Sequence, residues 1–540
     1  MSGGVYKLLI NSNEDNQDKI LLANTYLSNY INKLTSIKKY NNKQEIKELI
    51  ISIDKLDDKK KVEYDKNNKF MIDEKIKVLK SELDKKKSLN DLRPSIKDLS
   101  NSHYLFLQSS FKPFVSIGYE YSKVAVSPIP AFGSNLKVKV PKFGDFFNDM
   151  VVYIKLKDLK ATDNLNKVKY CNFIGHRILN KVKFVSNNII LDEYNSEDYN
   201  FHYQFKVPEH KKNGWKKCVG QEIPINAHLT ADPTYQEYRQ QIPILSGPQT
   251  LKREHKEVEL FIPLLFWFQN PKLSVPNITI PFGQTHIEFE LGKIDDICGC
   301  ADFAGDGGLF QQPTILDFHL YTNHIYLNPD ILDIYIKKIG LTLIRVHKYQ
   351  EMILNQPFNE ELLNELKFPI ENMFISFRPL ENIEGLNKLE TWNLNSKLTK
   401  IDIQSPIMYD TTGNGDFSLG SNSIIYYSEQ RLVDELGLRA DNISIFQQKS
   451  SLFYNSYLPY QYGSNTSTPA DESTYMFCFN FDPNLYQPTG YLNLSKIRRF
   501  YLYYQSPIIS STNLCKMIVS AQSINFLLVK NGLMTLQYSV

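Results

Sequence analysis

The sequence predicts an all-β protein, built as two jelly rolls in tandem behind an α-helical amino-terminal arm, and two observations carry this prediction. Between Val5 and Ile117 there is no glycine and there are only two prolines, whereas the rest of the chain holds all 24 glycines and 23 of the 25 prolines. From about Tyr104 the spacing of apolar residues changes from a period of 3.6, typical of helices, to a period of 2, typical of strands. These two changes place a domain boundary near residue 103.

The arm contains three amphipathic stretches. The first, Lys19 to Leu34, follows the acidic run Asn13 to Asn16, which suits the start of a helix. Between Lys38 and Asp98, 18 basic and 13 acidic residues give a local net charge of +5. We expect residues 1–36 to be an anchor segment with an amphipathic helix and residues 37–102 to be a charged helical arm. Two apolar stripes at helical spacing each need a partner surface: Ile46, Leu49, Ile50, Ile53 and Leu56, and Ile72, Ile76, Leu79 and Leu83.

The charge balance limits what the arm can bind. Its basic residues are interleaved with acids, and the binding of nucleic acid strengthens with the number of phosphates neutralised. The sequence therefore argues against a specific nucleic-acid partner. Contact with a neighbouring subunit or a role as a solvated spacer is the favoured interpretation, and contact with an anionic membrane surface is the alternative.

The β part divides into two units. We predict a first jelly roll over residues 103–328, a linker helix over 329–340, centred on Asp330 to Lys338, and a second jelly roll over 341–540. Each unit exceeds an immunoglobulin-like module of about 100 residues and suits eight strands with long loops. No helical pattern alternates with the strands, which excludes a parallel βαβ sheet. The predicted strands of the first unit are Phe114 to Val124, Leu136 to Val140, Val151 to Leu156, Val182 to Val185, Leu260 to Phe268, Ile278 to Ile280, Thr285 to Leu291 and Phe318 to Leu327.

The last forty residues give a clear local prediction. Two runs, Ser523 to Lys530 and Leu533 to Ser539, flank the dipeptide Asn531-Gly532. This dipeptide tolerates positive φ and favours a type I′ hairpin turn. We expect the chain to end in a two-stranded ribbon.

A search for catalytic and metal-binding patterns assigns no catalytic, cofactor-binding or metal-ligating residue and predicts no cofactor. None of the ten histidines occurs as His-x-His. The nearest pair, His319 and His324, has an odd spacing that places the two side chains on opposite faces of a strand. Cys298 and Cys300 lack the second cysteine pair of a zinc site, so we interpret them as free thiols in a loop.

Two further segments are interpreted as ordinary loops. Residues Asp302 to Gly308 have the Gly and Asp content of a calcium loop but lack alternating oxygen ligands that end in Glu. Residues Lys211 to Lys217 surround Trp215 with lysines, a pattern that suits phosphate or an acidic partner, but a solvated hairpin tip is the favoured interpretation.

Composition and short motifs also indicate the cellular compartment in which the chain folds. The longest apolar runs, Ile262 to Phe268 and Ile524 to Val529, fall well short of the roughly 18 residues that span a bilayer. The amino-terminal residues show no secretion signal or myristoylation motif. The six cysteines are scattered, which favours a reducing compartment over a disulfide scaffold.

A series of short blocks follows in order along the chain. The blocks are Phe111 to Tyr121, Pro141 to Met150, Leu191 to Tyr194, Val219 to Glu222, Gly247 to Thr250, Phe266 to Phe268, Ile280 to Gly283, Leu343 to Lys348, Phe368 to Pro379, Tyr486 to Gly490 and Ser520 to Leu528. This series resembles the hexon-type major capsid proteins of African swine fever virus and related large DNA viruses. The resemblance covers nearly the whole chain, including Ser2 to Gly4 and the first predicted helix.

The resemblance implies a double jelly-roll subunit without catalytic activity. Such subunits form homotrimers, whose six jelly rolls make pseudohexagonal capsomers that tile an icosahedral shell around an internal membrane. It further implies partners among minor capsid and penton proteins, an inward-facing arm near the membrane, and assembly in the cytoplasm of the host, at the virus factory.

Two departures from the family and two rival functions remain open at this level. The block Lys38 to Asp98 looks like an expansion, so its contacts cannot be carried over. Val151 to Leu179 and Ile223 to Ser246 look shorter than the loops that would build outward turrets, which predicts a flatter outer face.

The rivals are a transient double jelly-roll assembly scaffold on a viral membrane and a carbohydrate-binding jelly-roll protein.

Overall fold

The computed structural model divides the chain into two compact units, Met1–Phe114 and Val115–Val540. The residues that it describes are 45–61, 66–91, 117–162, 166–229, 240–244, 247–280, 285–301, 310–329, 332, 340–385, 388–410, 417–462, 466–482, 485–530 and 532–538. The predicted helix Lys19 to Leu34, most of the predicted linker helix Asp330 to Lys338, and the loop Asp302 to Gly308 lie outside these residues.

The described part of the first unit is a pair of helices, α1 (45–61) and α2 (Lys66–Asp91). Ile53, Ile76 and Leu83 are buried between them, and the Lys86 ammonium lies 2.9 Å from the Glu45 carboxylate. Each helix therefore buries the apolar stripe of the other, and the two stripes need no further partner surface. Ile50, which the sequence also placed in a stripe, is 38% exposed and lies outside this cluster. The other stripe residues pack around the cluster, namely Ile46, Leu49, Leu56, Ile72 and Leu79.

The first jelly roll has eight principal strands in two antiparallel sheets. Sheet A1 has the strand order β1-β8-β3-β6, and sheet B1 has the order β2-β7-β4-β5. The strands are β1 Ile117–Ala125, β2 Asn135–Lys139, β3 Phe146–Leu156, β4 Leu179–Ser186, β5 Ile189–Asn195, β6 Val258–Pro263, β7 Thr285–Leu291 and β8 Ile315–Leu327.

The second jelly roll repeats the same topology. Sheet A2 has the order β9-β16-β11-β14, and sheet B2 has the order β10-β15-β12-β13. Both rolls thus pair their strands as first-eighth-third-sixth and second-seventh-fourth-fifth, the arrangement of an eight-stranded jelly roll. The strands are β9 Leu341–Leu354, β10 Phe358–Leu362, β11 Pro369–Pro379, β12 Glu435–Ala440, β13 Ile443–Ser450, β14 Thr474–Cys478, β15 Phe500–Gln505 and β16 Cys515–Lys530.

Helices connect the fifth strand to the sixth in both rolls. In the first roll, α3 (196–206) consists of the α-helix Ser196–Phe201 and the π-helical turn His202–Lys206, and α4 (Glu209–Cys218) follows. In the second roll, α5 (451–462) contains the π-helical turn Phe453–Tyr457 and the α-helix Leu458–Tyr462.

A long hairpin and several short elements complete the connections. The hairpin pairs Lys397–Asp410 with Phe417–Gln430 between the third and fourth strands of the second roll and forms a sheet of its own. The other strands are Leu159–Ala161, Lys167–Tyr170, Ile225–Leu229, Gln240–Ile244, Glu254–His255, Cys298–Ala301, Phe310–Gln311, Leu492–Asn493 and Leu533–Leu536. The short helices are Ile174–Ile178, Trp267–Gln269, Pro271–Leu273, Asn277–Thr279, Ile294–Ile297, Glu381–Glu384, Lys388–Thr391 and Leu494–Lys496.

The structure confirms the all-β tandem jelly rolls and corrects two strand predictions. The predicted strand Leu260 to Phe268 ends at Pro263, because the rings of Phe266 and Phe268 turn inward to pack on Phe184. The predicted strand Ile278 to Ile280 lies in the 3-10 turn Asn277–Thr279 and the residue after it. There the Asn277 amide donates to the carbonyl oxygens of Pro141 and Gly144 and holds the turn in place.

The carboxy-terminal hairpin is confirmed but belongs to a larger sheet. Strand Leu533–Leu536 pairs with β16, and Gly532 has φ +78°, as the turn prediction requires. However, β16 also pairs with β9 and β11 along its length. The predicted two-stranded ribbon is therefore present, and its first strand is also a central strand of the second roll.

Candidate assembly surfaces

The two jelly rolls meet where α3 lies across the outer face of sheet A2. Phe201 and Phe205 of α3 pack on Phe374 of β11, with ring centroids 6.1 and 4.7 Å away. Ile518 of β16 and Met476 of β14 complete this cluster, which is buried. Because α3 covers that face, β11 and β16 are buried on both of their faces near the junction.

An ion pair fixes the start of α3 to the second roll. The Arg378 guanidinium donates to both carboxylate oxygens of Glu197 at 2.5 and 2.7 Å, and its Nε donates to Asn395 at 2.9 Å. Burial raises the pKa of the Glu197 carboxyl, but the charge and hydrogen bonds of Arg378 outweigh it and lower the pKa overall. The two parallel hydrogen bonds of such a bidentate pair strengthen the interaction and also restrict the relative orientation of the two side chains.

Two aspartates make further polar contacts across the junction. The backbone N–H of His347 donates to Asp192 Oδ1 at 2.8 Å, and the imidazole Nδ1 lies 3.1 Å from Oδ2. Burial lowers the pKa of His347, but the Asp192 and Asp198 carboxylates raise it overall. The Ser520 hydroxyl donates to Asp198. These contacts join residues 155 and 322 positions apart in the sequence.

The junction also has an apolar part, because the core of the first roll continues into the second. Ile344 and Val346 of β9, Leu527 and Val529 of β16, and Met534 belong to the same buried cluster as the first-roll core. The two rolls therefore share a core and cannot separate without exposing apolar surface. We infer that they behave as one rigid block.

The segment Lys211 to Lys217 forms most of helix α4, so the predicted hairpin tip is wrong. Trp215 Nε1 donates to His176 Nε2 at 2.9 Å, and the Lys212 ammonium lies 2.7 Å from the Glu209 carboxylate. Gly214 inside the helix weakens it by about 1 kcal/mol relative to alanine, and packing of the Trp215 ring compensates. The lysines are part of a structural helix that braces α3.

The cysteine pair is also placed differently from the loop that we expected. Cys298 and Cys300 lie in the strand Cys298–Ala301, which pairs with Lys167–Tyr170. Neither thiol forms a disulfide bond. Burial raises the pKa of the Cys298 thiol to about 12, which keeps it protonated and unreactive.

The histidine pair is placed as the spacing predicts, on opposite faces of β8. His319 lies on the partly exposed face, whereas His324 is buried. In the described part of the chain no group of three or more His, Cys, Asp or Glu side chains has the geometry to hold a metal ion. No helix among those residues is both long and apolar enough to cross a bilayer.

One surface cavity bears on the carbohydrate-binding rival. It has a volume of about 340 Å³, and its lining includes the acidic side chains of Glu381 and Glu384 together with Lys397. Its lining contains no aromatic side chain. It therefore lacks a ring on which a sugar would stack.

The outer faces of the first-roll sheets differ in chemistry. Sheet A1 carries a cluster of aromatic rings, in which Tyr153 lies 5.0 Å from Phe261, 5.7 Å from His319 and 6.4 Å from Tyr321 between centroids. Phe261 is 43% exposed. A contiguous, partly exposed aromatic face of this kind is typical of an interaction surface.

Sheet B1 presents an ionic ladder. Lys137 pairs with Glu288 at 2.6 Å, and Lys181 and Lys183 lie 3.3 and 3.9 Å from Glu193. Exposed pairs of this kind contribute about 0–1 kcal/mol each. This ladder suits a solvated or loosely contacted wall.

Sequence reasoning missed the junction residues. Asp192 and His347 both lie in the blocks that carry the family resemblance, but nothing in their spacing indicates that they meet. The dipeptide Tyr-Asn follows the fifth strand in both rolls, as Tyr199-Asn200 and Tyr454-Asn455, but it also occurs at Tyr40-Asn41 and Tyr194-Asn195 and gives no signal for this pairing.

Two family models match the chain. The large eukaryotic DNA virus major capsid protein model matches residues 391–535, and the model of the major capsid protein N-terminus matches residues 119–328. Together they cover more than half of the chain, one part in each roll.

Curated relatives and solved structures agree with these matches. The chain is 26% identical to hexon protein p72 of African swine fever virus over 604 positions, which include 83% of this chain and 93% of the relative. It is 20% identical to the major capsid protein of Pyramimonas orientalis virus, with 81% and 95% covered. Because the alignment with hexon protein p72 is longer than this chain, p72 contains stretches that this chain lacks.

Among solved structures, the Faustovirus major capsid protein superposes with a TM-score of 0.70 and 27% identity, covering 81% of this chain and 94% of the other. The capsid protein in a quasi-atomic model of the PBCV-1 virus capsid gives a TM-score of 0.58 at 16% identity and covers 81% and 100% of the two chains. At that identity the second likeness shows the fold alone.

Proposed function

The chain belongs to the major capsid protein family of large eukaryotic DNA viruses, and from this premise we propose that three copies assemble into a pseudohexagonal capsomer of an icosahedral virion shell. The protein is a structural subunit of the viral capsid, and its function is geometric. The observation that carries the trimer is the repeated topology of the two rolls, which share a core and are joined by the Glu197–Arg378 pair. Three rigid blocks of two near-equivalent rolls supply six walls around one axis.

Other parts of this proposal concern activity, partners and place of assembly. We propose that the subunit has no catalytic role, that capsomers contact minor capsid and penton proteins, and that assembly takes place in the host cytoplasm, at the virus factory. The helical arm is proposed to face inward, toward the membrane or its proteins. The described helix α2 of the arm exposes Phe70 and Met71 on its surface, which supports contact with another component.

Light scattering of the purified full-length protein after size exclusion tests the trimer. The expected mass is about 188 kDa, three times the chain mass of 62.7 kDa. Negative-stain images of the same fraction should show particles with pseudo-sixfold outlines. A folded chain that stays at 62.7 kDa at every concentration would contradict the trimer.

Abundance in particles separates a capsid protein from a transient assembly scaffold. Quantitative mass spectrometry of purified mature virions should find this chain among the most abundant proteins. A chain abundant in immature particles and nearly absent from mature ones would support the scaffold instead.

A further inference from the structure

Helices α3 and α5 occupy the same position in the two rolls. Each begins directly after the fifth strand, which ends at Asn195 in the first roll and at Ser450 in the second. Four residues later each helix places a tyrosine in the core of its own roll, Tyr199 and Tyr454, both with 0% exposure. These buried tyrosines give a common register for counting along both helices.

The equivalent positions differ sharply in exposure. Two residues after the strand, Glu197 is buried in its ion pair, whereas Leu452 is 52% exposed. Ten residues after the strand, Phe205 is buried against Phe374, whereas its counterpart Tyr460 is 79% exposed. The first-roll helix is covered by the second roll of the same chain, and the second-roll helix presents apolar side chains to solvent.

The receiving sheets show the same asymmetry. The third strand of the second roll, β11, is buried on both faces, because α3 lies over it. The third strand of the first roll, β3, alternates between buried and partly exposed residues, so its outer face is open. The open face carries the aromatic cluster of Tyr153, Phe261 and Tyr321. The pair Phe261–Tyr153 joins the sixth and third strands, as the pair Met476–Phe374 does beneath α3.

The chemistry of the two unpartnered surfaces is matched. Within the chain, α3 brings Glu197 to Arg378. On the second-roll helix, Leu452 replaces the acid, and the open face of sheet A1 offers aromatic rings. The edge strands show the same difference in exposure. The fifth strand of the first roll, β5, meets the first strand of the second roll, β9, through Asp192 and His347. The fifth strand of the second roll, β13, and the first strand of the first roll, β1, are both largely exposed.

We propose that α5 of one copy docks on the outer face of sheet A1 of a second copy, in the way that α3 docks on sheet A2 within the chain. This inference rests on the proposed trimer and assigns its contact surfaces. The contact is heterologous, since a helix of the second roll meets a sheet of the first roll, and a heterologous contact closes into a ring when the rotation allows it. In a trimer, three such contacts between copies would alternate with the three junctions inside the copies. The six rolls would then form one ring in which each roll is covered by its neighbour.

The test uses three double variants of the full-length chain and light-scattering mass. The helix variant is Leu452→Lys/Tyr460→Lys, and the sheet variant is Phe261→Lys/Tyr321→Lys. The control, Phe358→Lys/Leu362→Lys, changes two exposed apolar residues of β10, the strand of sheet B2 farthest from β13. The helix and sheet variants should lose the trimer and run at 62.7 kDa, and the control should keep about 188 kDa, three times that mass. Far-ultraviolet circular dichroism checks that each variant is folded.

Mixing the helix and sheet variants gives a second readout that a folding defect would not produce. The sheet variant keeps an intact α5 and the helix variant keeps an intact sheet A1, so one contact can form and the ring cannot close. The mixture should contain a heterodimer of about 125 kDa, twice 62.7 kDa, although neither variant associates alone.

The outcomes separate this inference from the trimer itself. A wild-type trimer with helix and sheet variants that also remain trimeric would overturn the assigned surfaces and leave the trimer standing, with the aromatic face then available to a minor capsid protein. A wild-type protein that never exceeds 62.7 kDa would overturn both. Variants that are folded monomers but give no heterodimer on mixing would also overturn the docking of α5 on sheet A1.

Discussion

At the scale of single residues, the junction depends on a few buried charges. Arg378 has 1% exposure and is the partner of Glu197, which is 8% exposed. Removing one member of such a pair leaves the other charge buried and uncompensated, which costs more than the intact pair contributes. The intact pair therefore favours the geometry in which Glu197 and Arg378 meet over other arrangements of the two rolls.

The variant Arg378→Met should lower the free energy of unfolding by about 3–5 kcal/mol, because the Glu197 carboxylate loses the guanidinium with which it pairs. Urea unfolding followed by tryptophan fluorescence would measure it. The matched control is Arg431→Met, whose pair with Glu472 is exposed and 3.7 Å long, and whose loss should cost less than about 1 kcal/mol. The double variant Glu197→Gln/Arg378→Met should recover part of the loss. Equal effects of Arg378→Met and Arg431→Met would contradict the role assigned to the buried pair.

His347 gives the junction a dependence on pH. Its pKa is raised in the folded protein by Asp192 and Asp198, against burial and the opposing charge of Lys206. A raised pKa means that the folded state favours the protonated form. The resulting stability is fully present below the unfolded pKa of about 6.5 and is lost as the pH rises through the folded value.

Wild type should therefore exceed His347→Gln in unfolding free energy by more at pH 5.5 than at pH 8.5. Urea titrations of both proteins at several pH values measure this difference, and comparison with the variant cancels the titration of groups that do not interact with His347. A difference that stays constant or grows with pH would show that His347 is not stabilised in its charged form.

At the scale of elements, local sequence pattern predicts the helices α1 and α2, but packing of one helix against the other stabilises them. Apolar spacing predicts both helices, but each stripe is too narrow to stabilise a lone helix in water. The stripes of the two helices bury Ile53, Ile76 and Leu83 against each other. The hairpin is a two-helix unit with a small core and a heavily charged surface.

The variant Ile76→Ala should open this hairpin, since it removes most of a buried side chain at the centre of that core. A loss of about 2 kcal/mol or more is typical of such a substitution. Amide hydrogen exchange within 45–61 and 66–91 should accelerate by roughly tenfold or more, at about 1.4 kcal/mol for each factor of ten. Val78→Ala is the control, because Val78 is 62% exposed. Unchanged exchange in Ile76→Ala would mean that the two helices do not stabilise each other.

At the scale of the whole molecule, the connections at one end of the rolls would form the outer face of the proposed capsomer. In an antiparallel jelly roll successive connections alternate between the two ends, so the third-to-fourth and fifth-to-sixth connections share an end. In the first roll the described part of the former connection contains the short strands Leu159–Ala161 and Lys167–Tyr170 and the short helix Ile174–Ile178. In the second roll it is the hairpin Lys397–Asp410 with Phe417–Gln430, whose 14-residue strands would extend about 46 Å at roughly 3.3 Å per residue.

A capsomer map should therefore show a low surface over each first roll and one slender projection over each second roll. The sequence alone predicts a flatter outer face and misses this hairpin. Replacing residues 400–427 by a short Gly-Ser linker should remove the projection and leave the trimer mass otherwise unchanged, because the hairpin forms a separate two-stranded sheet. Tall towers over the first rolls, or loss of the trimer in the deletion variant, would contradict this account.

The sequence by itself determines the types of most elements, the tandem β architecture and the turn at Gly532, because periodicity and turn chemistry act over a few residues. It does not determine where strands end when tertiary packing intervenes. Phe266 and Phe268 continue an apolar run but leave the sheet to fill the core, and Trp215 draws a lysine-rich segment with an internal glycine into a helix.

Only the tertiary structure decides which residues form the junction and which surfaces remain open. Glu197 meets Arg378 across 181 residues of sequence, and Asp192 meets His347 across 155. No local rule links such positions, since their proximity depends on the path of every intervening strand. For the same reason Phe205 and Tyr460, which occupy equivalent places in two similar helices, differ in burial because only one helix has a second roll of its own chain to cover it.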